Sequence, residues 1–144
     1  MKVFFDTSVI VAAFVSAHPK HGDCLPWLQK VKKSEITGII SAHSLLETYS
    51  VLTTLPLSPR INPSLAVNLI KENIISCFKI AEHKSGEYLK LLDDLALNEL
   101  FGGASYDGLL LYAARKEKVD KILTLNLNDF IRAAPQLVRI ISPP

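Results

Sequence analysis

A chain of 144 residues suits one domain, since domains most often hold roughly 100–150 residues, and a chain of this length buries about two-thirds of its unfolded surface. With 49% hydrophobic and 21% charged residues and no low-complexity stretch, the composition excludes intrinsic disorder and removes the need for a disulfide or metal staple. The formal net charge of +2 is too small to mark a nucleic-acid binder by itself, and it excludes no class of partner.

Lys2–Phe5 (KVFF) predicts a short buried strand that ends at Asp6. Thr7 and Ser8 then offer capping side chains for a helix over Val9–Ser16, which stops before Pro19. A second helix is expected over Gly22–Lys33, with Pro26 near its first turn and Leu25, Leu28 and Val31 at helical spacing. Ile36–Ile40 (ITGII) is short, continuous and β-branched, which predicts a buried strand. Ser41 can cap the helix expected over Ala42–Thr54, whose Leu45, Tyr49 and Leu52 share one face. Leu55–Pro63 carries three of the eight prolines and reads as a connection. A helix over Ser64–Ile75, a strand at Phe78–Ala81 and a helix over Lys84–Leu97 follow, the last broken by Gly102–Gly103. The C-terminal part predicts a helix over Tyr106–Lys118, a strand at Lys121–Leu125 (KILTL), a short helix over Asn128–Ala134 ended by Pro135, and a last strand at Val138–Ile141.

Strands that alternate with helical crossovers of this length imply an α/β fold, a parallel sheet covered on both faces. Such sheets place ligands just outside the carboxyl ends of their strands. Cys24 and Cys77 share no spacing with a histidine cluster and are expected to be free thiols in a reducing compartment. The apolar run Val9–Val15 falls far short of the roughly 20 residues of a membrane span, and Asp6 interrupts any signal-peptide core, so a cytoplasmic protein is expected.

The strand-end rule directs attention to three acids. Asp6 stands where the first strand meets its helix; a helix cap is the plain structural role for an acid there, although Thr7 and Ser8 could serve as well. Glu47 shares a helical stripe with His43, Ser50 and Thr54, opposite Leu45, Tyr49 and Leu52, and this stripe is equally a solvated face or the wall of a polar cleft. Asp107 opens a helix whose next residues are almost all apolar, lies over Leu111 and Ala114, and has no basic residue between Lys90 and Arg115 to partner it. A cation would supply that partner. If the three converge, each pair repels by roughly 1 kcal/mol at about 4 Å in water and by several at protein-like dielectric, unless protons or metal neutralise them. Oxygen-only ligands suit Mg²⁺ or Mn²⁺, and the matching chemistry is phosphodiester hydrolysis.

In series, D-T-S (Asp6–Ser8), S-A-H-S-L-L-E (Ser41–Glu47), Y-D-G-L-L-L-Y-A-A (Tyr106–Ala114) and L-T-L-N-L-N-D-F (Leu123–Phe130) resemble the PIN-domain family, and within it the VapC-type toxins of toxin–antitoxin systems. The resemblance spans nearly the whole chain. It implies a three-layer α/β/α sandwich around a mostly parallel sheet and a Mg²⁺- or Mn²⁺-dependent endoribonuclease. It also implies an RNA substrate, homodimers and a small cognate antitoxin that inserts a segment near the active site. By position, Asp6, Glu47 and Asp107 match the acidic metal-site residues, and Ser8 matches a small polar residue that supports the first acid. Many members carry Asp where Asn126 stands; Thr124, Asn126, Asp129 and Phe130 instead resemble a variant in which Asp129 is the fourth acid and Asn126 a neutral group behind the ligands.

Other readings have weaker support in the residues. An inert PIN fold acting as an interaction module would have no need to hold mutually repelling acids. A phospho-accepting receiver domain needs an acidic pair after the first strand and a lysine at the end of a late one, whereas only Asp6 is present and Lys121 begins its strand. His43 with Glu47, or His18 with His21, lacks a third zinc ligand at suitable spacing; His18 and His21 are expected in a solvated loop and His43 at the border of the acidic cleft. Arg60, Lys71, Arg115, Lys116, Lys118 and Arg132 are the basic groups available for phosphate, and the sequence does not choose among them.

Overall fold

The structure is a computed structural model that describes residues 1–144. Five parallel strands, β1 (Lys2–Phe5), β2 (Thr37–Ser41), β3 (Lys79–Ala81), β4 (Lys121–Leu123) and β5 (Ile141–Ser142), form one sheet in the order β3-β2-β1-β4-β5. Alternation along β1 explains the layering. Val3 and Phe5 point into a core with α1 (Thr7–Phe14) and α2 (His21–Lys32), joined by Ile70, Ile74 and Phe78 from the segment after α3 (Ala42–Thr54) and α4 (Pro63–Ile70). Phe4 points the other way, against Leu110, Leu111, Ala113 and Ala114 of α6 (Ala104–Glu117) and Phe130 of α7 (Leu127–Ala133). Every crossover that moves toward β3 therefore lies on one face and every crossover that moves toward β5 on the other, as a uniform right-handed connection requires. α5 (Ser85–Leu97) packs outside α6 through Leu91, Leu95 and Leu109. The result is the expected α/β/α sandwich, and it places the sheet's reversal of direction between β1 and β4.

Most predicted elements lie within two residues of their observed bounds, and the departures have local causes. α1 begins at Thr7, so Thr7 and Ser8 are helical residues and not caps. The helix predicted over Ser64–Ile75 is α-helical to Ile70 and closes with a π-type segment over Lys71–Ile75. The last strand is misplaced by the sequence reading: Pro135 opens a 3₁₀ turn over Pro135–Leu137, and pairing with β4 starts only at Ile122 opposite Ile141. Val138 and Arg139 stay outside the sheet because the strand's register is dictated by β4 and not by its own apolar residues. Cys24 and Cys77 are both free, and burial pushes the Cys24 thiol up to about 11. No helix is long and apolar enough to cross a membrane.

Candidate active site

Asp6 is the first residue past β1, and the β1–β4 register brings Phe5 opposite Leu123, so the residues that follow, Asp6 and Thr124, meet across the gap between the strands. Thr124 Oγ1 donates to Asp6 Oδ2 at 2.8 Å, and Ser8 Oγ donates to the same oxygen at 2.5 Å. Ser8 Oγ in turn accepts from the Leu125 amide, and Thr124 Oγ1 accepts from the Asn126 amide, so both hydroxyls are held at a fixed orientation by the β4–α7 turn. Asp6 occupies the N-cap position of α1 through its backbone, yet its side chain makes no capping bond. The carboxylate is instead engaged by the Thr124 and Ser8 hydroxyls, so it does more than cap the helix it precedes. Both hydroxyl hydrogen bonds fall on Oδ2, and the Ser8 backbone N–H also acts on the carboxylate.

Only 3% of Asp6 is exposed and no cation pairs with it. Burial raises its pKa, opposed by the Ser8 and Thr124 hydrogen bonds, with the charge of Glu47 adding to the rise. Glu47, on the second turn of α3, accepts from Thr7 Oγ1 at 3.1 Å, and His43 Nε2 lies 3.6 Å from the same Oε2. Asp107 sits in the first turn of α6, where the helix dipole favours an anion. Its pKa is nevertheless pushed up to about 6, first by burial and then by the charges of Asp6, Asp129 and Glu47. Gly108 lets α6 approach α5 this closely: a Cβ there would stand 2.6 Å from Leu95 Cδ2.

One open pocket is lined by Asp6, Thr7, Ser8, Val11, His18, Glu47, Val51, Asp107 and Asn126. The structure thus brings together the three acids singled out in the sequence, with Asn126 on the rim, and the pocket contains no lysine or arginine. It does not bring Asp129 into this pocket. Asp129 is exposed in an adjoining depression shared with Asp107, Ala104 and Leu100, where it pairs with Arg132 at 3.3 Å. Asp107 stands between the two. No three carboxylate or imidazole side chains close around one point at ligand distance. An oxygen-lined anionic pocket of this openness suits an ion that keeps much of its water and takes one or two carboxylates directly, which is how Mg²⁺ binds.

Two site residues were missed in the sequence. Thr7 was assigned to helix capping, but its hydroxyl reaches Glu47 across forty residues of chain. His18 was expected in a solvated loop; it lines the acid pocket, with Nδ1 accepting from the Lys20 amide, and His21 Nδ1 lies 3.0 Å from the Ala12 carbonyl. Neither contact has a periodicity that could announce it. His43 lies beside Glu47 but not among the residues that line the acid pocket, and its ring stacks on Tyr106 of α6. Among the basic candidates, Arg132 flanks the acids, Arg115 lines a small cavity between α5 and α6, and Lys116 is engaged by Glu87 and the Glu82 carbonyl.

Comparison with known proteins identifies the family to which this fold belongs. The chain is 37% identical over 123 residues to ribonuclease VapC40 of Mycobacterium tuberculosis, covering 85% of this chain and 84% of the relative. It is 33% identical over 115 residues to ribonuclease VapC27 of the same organism, covering 80% and 78%. The VapBC2 complex of Rickettsia felis, solved bound to a DNA fragment from its promoter, shares the fold at a TM-score of 0.66 and 20% identity, over 100% of this chain and 99% of that one. The PIN domain family model matches residues 3–135, and with these relatives it shows that the chain belongs to the PIN domain family.

Proposed function

We propose that this protein is a Mg²⁺- or Mn²⁺-dependent endoribonuclease and the toxin of a toxin–antitoxin pair. The observation that carries the reading is the pocket at the carboxyl ends of β1 and β4. There Asp6, Glu47 and Asp107 face one space that no lysine or arginine lines. Relatives named as ribonucleases at 33% and 37% identity support the reaction, and the VapBC2 complex supports an antitoxin as partner. Cytoplasmic action and a homodimer complete the proposal.

Asp6, Glu47 and Asp107 would hold the ion. When bound, the ion lowers the pKa of an attacking water and offsets the charge that develops on the scissile phosphate. Ser8 and Thr124 bind Oδ2 of Asp6 and fix the orientation of its carboxylate. Thr7 fixes Glu47 from α1, so two acids from different elements are held at one spacing. Asn126 on the rim is neutral, which lowers the site's charge below that of a four-acid centre and favours one tight ion over two. Asp129 then acts from the adjoining depression, where it orients Arg132 toward incoming phosphate.

Incubating the purified protein with total RNA, with and without Mn²⁺, and mapping the cut ends tests the proposal. Metal-dependent cleavage at defined sites, absent from Asp107→Asn, is expected. No cleavage with either ion would return the chain to the interaction-module reading.

A further inference from the structure

The residue before Asp107 and the residue one turn before Glu47 are both aromatic, and they meet. Tyr106 on α6 and His43 on α3 stack with ring centroids 5.1 Å apart and planes 6° from parallel. Tyr106 is 56% exposed, so the pair contributes little to the core and presents an aromatic face to solvent. The stack stands beside the acid pocket, whose own lining of small polar, acidic and aliphatic side chains with Asn126 and His18 includes neither ring. His43 Nε2 lies 3.6 Å from Glu47 Oε2, so the ring against which Tyr106 lies stands next to one of the acids. The stack is therefore tied by sequence to two of the three acids, within one residue of Asp107 and one helical turn of Glu47.

We infer that the His43–Tyr106 stack is a nucleobase platform. It receives the base of the nucleotide next to the scissile phosphate, continuing the parallel stack by one ring. The inference rests on the ribonuclease reading and adds to it a specificity element. Every base has a π-face, so the platform demands an unpaired, splayed nucleotide and is indifferent to most base identities. Tyr106 is the direct contact, and His43 is a positioning residue that holds its ring.

The test uses the full chain and a short single-stranded RNA built around a site that the wild type cuts in total RNA. Tyr106→Leu is expected to raise KM about tenfold (about 1.4 kcal/mol, the size of one base–aromatic stack) with kcat changed by about twofold or less, and Tyr106→Phe to restore it. Removing the base beside the cut site should weaken wild-type binding by the same factor and leave Tyr106→Leu unaffected. A fluorescent adenine analogue at that position should be quenched on binding to Asp107→Asn, and unquenched when Tyr106→Leu is added. If the wild type cuts RNA but Tyr106→Leu keeps its KM and its sensitivity to base removal, the platform is overturned and the nuclease stands. If the wild type cuts no RNA, both fall together.

Discussion

Asp6 receives hydrogen bonds from the Ser8 and Thr124 hydroxyls on one oxygen, and these orient a buried carboxylate that has no cationic partner. Removing a donor should act on metal affinity first. Thr124→Val is expected to weaken Mn²⁺ binding about 10–100-fold, as loss of an outer hydrogen bond to a ligand typically does, read by calorimetric titration. Asp107 carries the pH dependence. Its pKa is about 6 in the folded chain against 3.8 for an unperturbed carboxylate, so between these values the native state binds more protons than the unfolded one. Its contribution to metal-free stability is present below about pH 3.8 and is lost as the pH rises through about 6. Asp107→Asn should therefore raise the metal-free melting temperature at pH 7 more than at pH 4, while abolishing Mn²⁺-dependent cleavage. Equal shifts at both pH values would show that neither burial nor the neighbouring charges raise the pKa of this residue. Metal affinity should rise over the same interval, because the ligand must lose its proton. Asp6 was legible because it follows a strand end and Asp107 because it opens an apolar helix, whereas the stripe that carries Glu47 fitted a solvated face equally well. The resemblance marked Ser8 as support for the first acid, but the Thr7–Glu47 contact was not legible, because it joins two segments whose separation in space depends on the packing of α1 against α3.

At the scale of elements, strand alternation and helix periodicity located the helices and strands but not the register of β5. A strand of two paired residues carries too little pattern of its own, and its bounds are set by β4. Glycine 38 in β2 shows the converse, a constraint imposed from outside the strand. A Cβ on Gly38 would stand 2.7 Å from Val31 and 2.8 Å from the Phe78 ring, both on the face that holds α2. Gly38→Ala is expected to cost about 1–3 kcal/mol in denaturant unfolding, since overpacking outweighs the smaller gain from replacing a strand glycine. An unchanged midpoint would mean that the α2–β2 contact is slack. The sequence named Ile36–Ile40 as a buried strand without indicating that its glycine is the point of closest approach.

Across the whole molecule, the strand order β3-β2-β1-β4-β5 turns the chain around between β1 and β4, and the acids collect where the crossovers diverge. That placement follows from right-handed connections and parallel pairing, so it was available from the alternation of elements once the order of strands was known. The convergence of Asp6 and Thr124, 118 residues apart, is its direct product. Neutralising this pocket should stabilise the fold as a whole: Mn²⁺ at about 100 times its Kd is expected to add about 2.7 kcal/mol, seen as a rise in melting temperature that Asp6→Asn lacks. The most direct measurement is the anomalous scattering of a crystal grown in Mn²⁺. The account predicts a peak bounded by the carboxyl groups of Asp6, Glu47 and Asp107. At saturating Mn²⁺, a pocket without that peak, or carboxyl groups turned to separate parts of the surface, would contradict it.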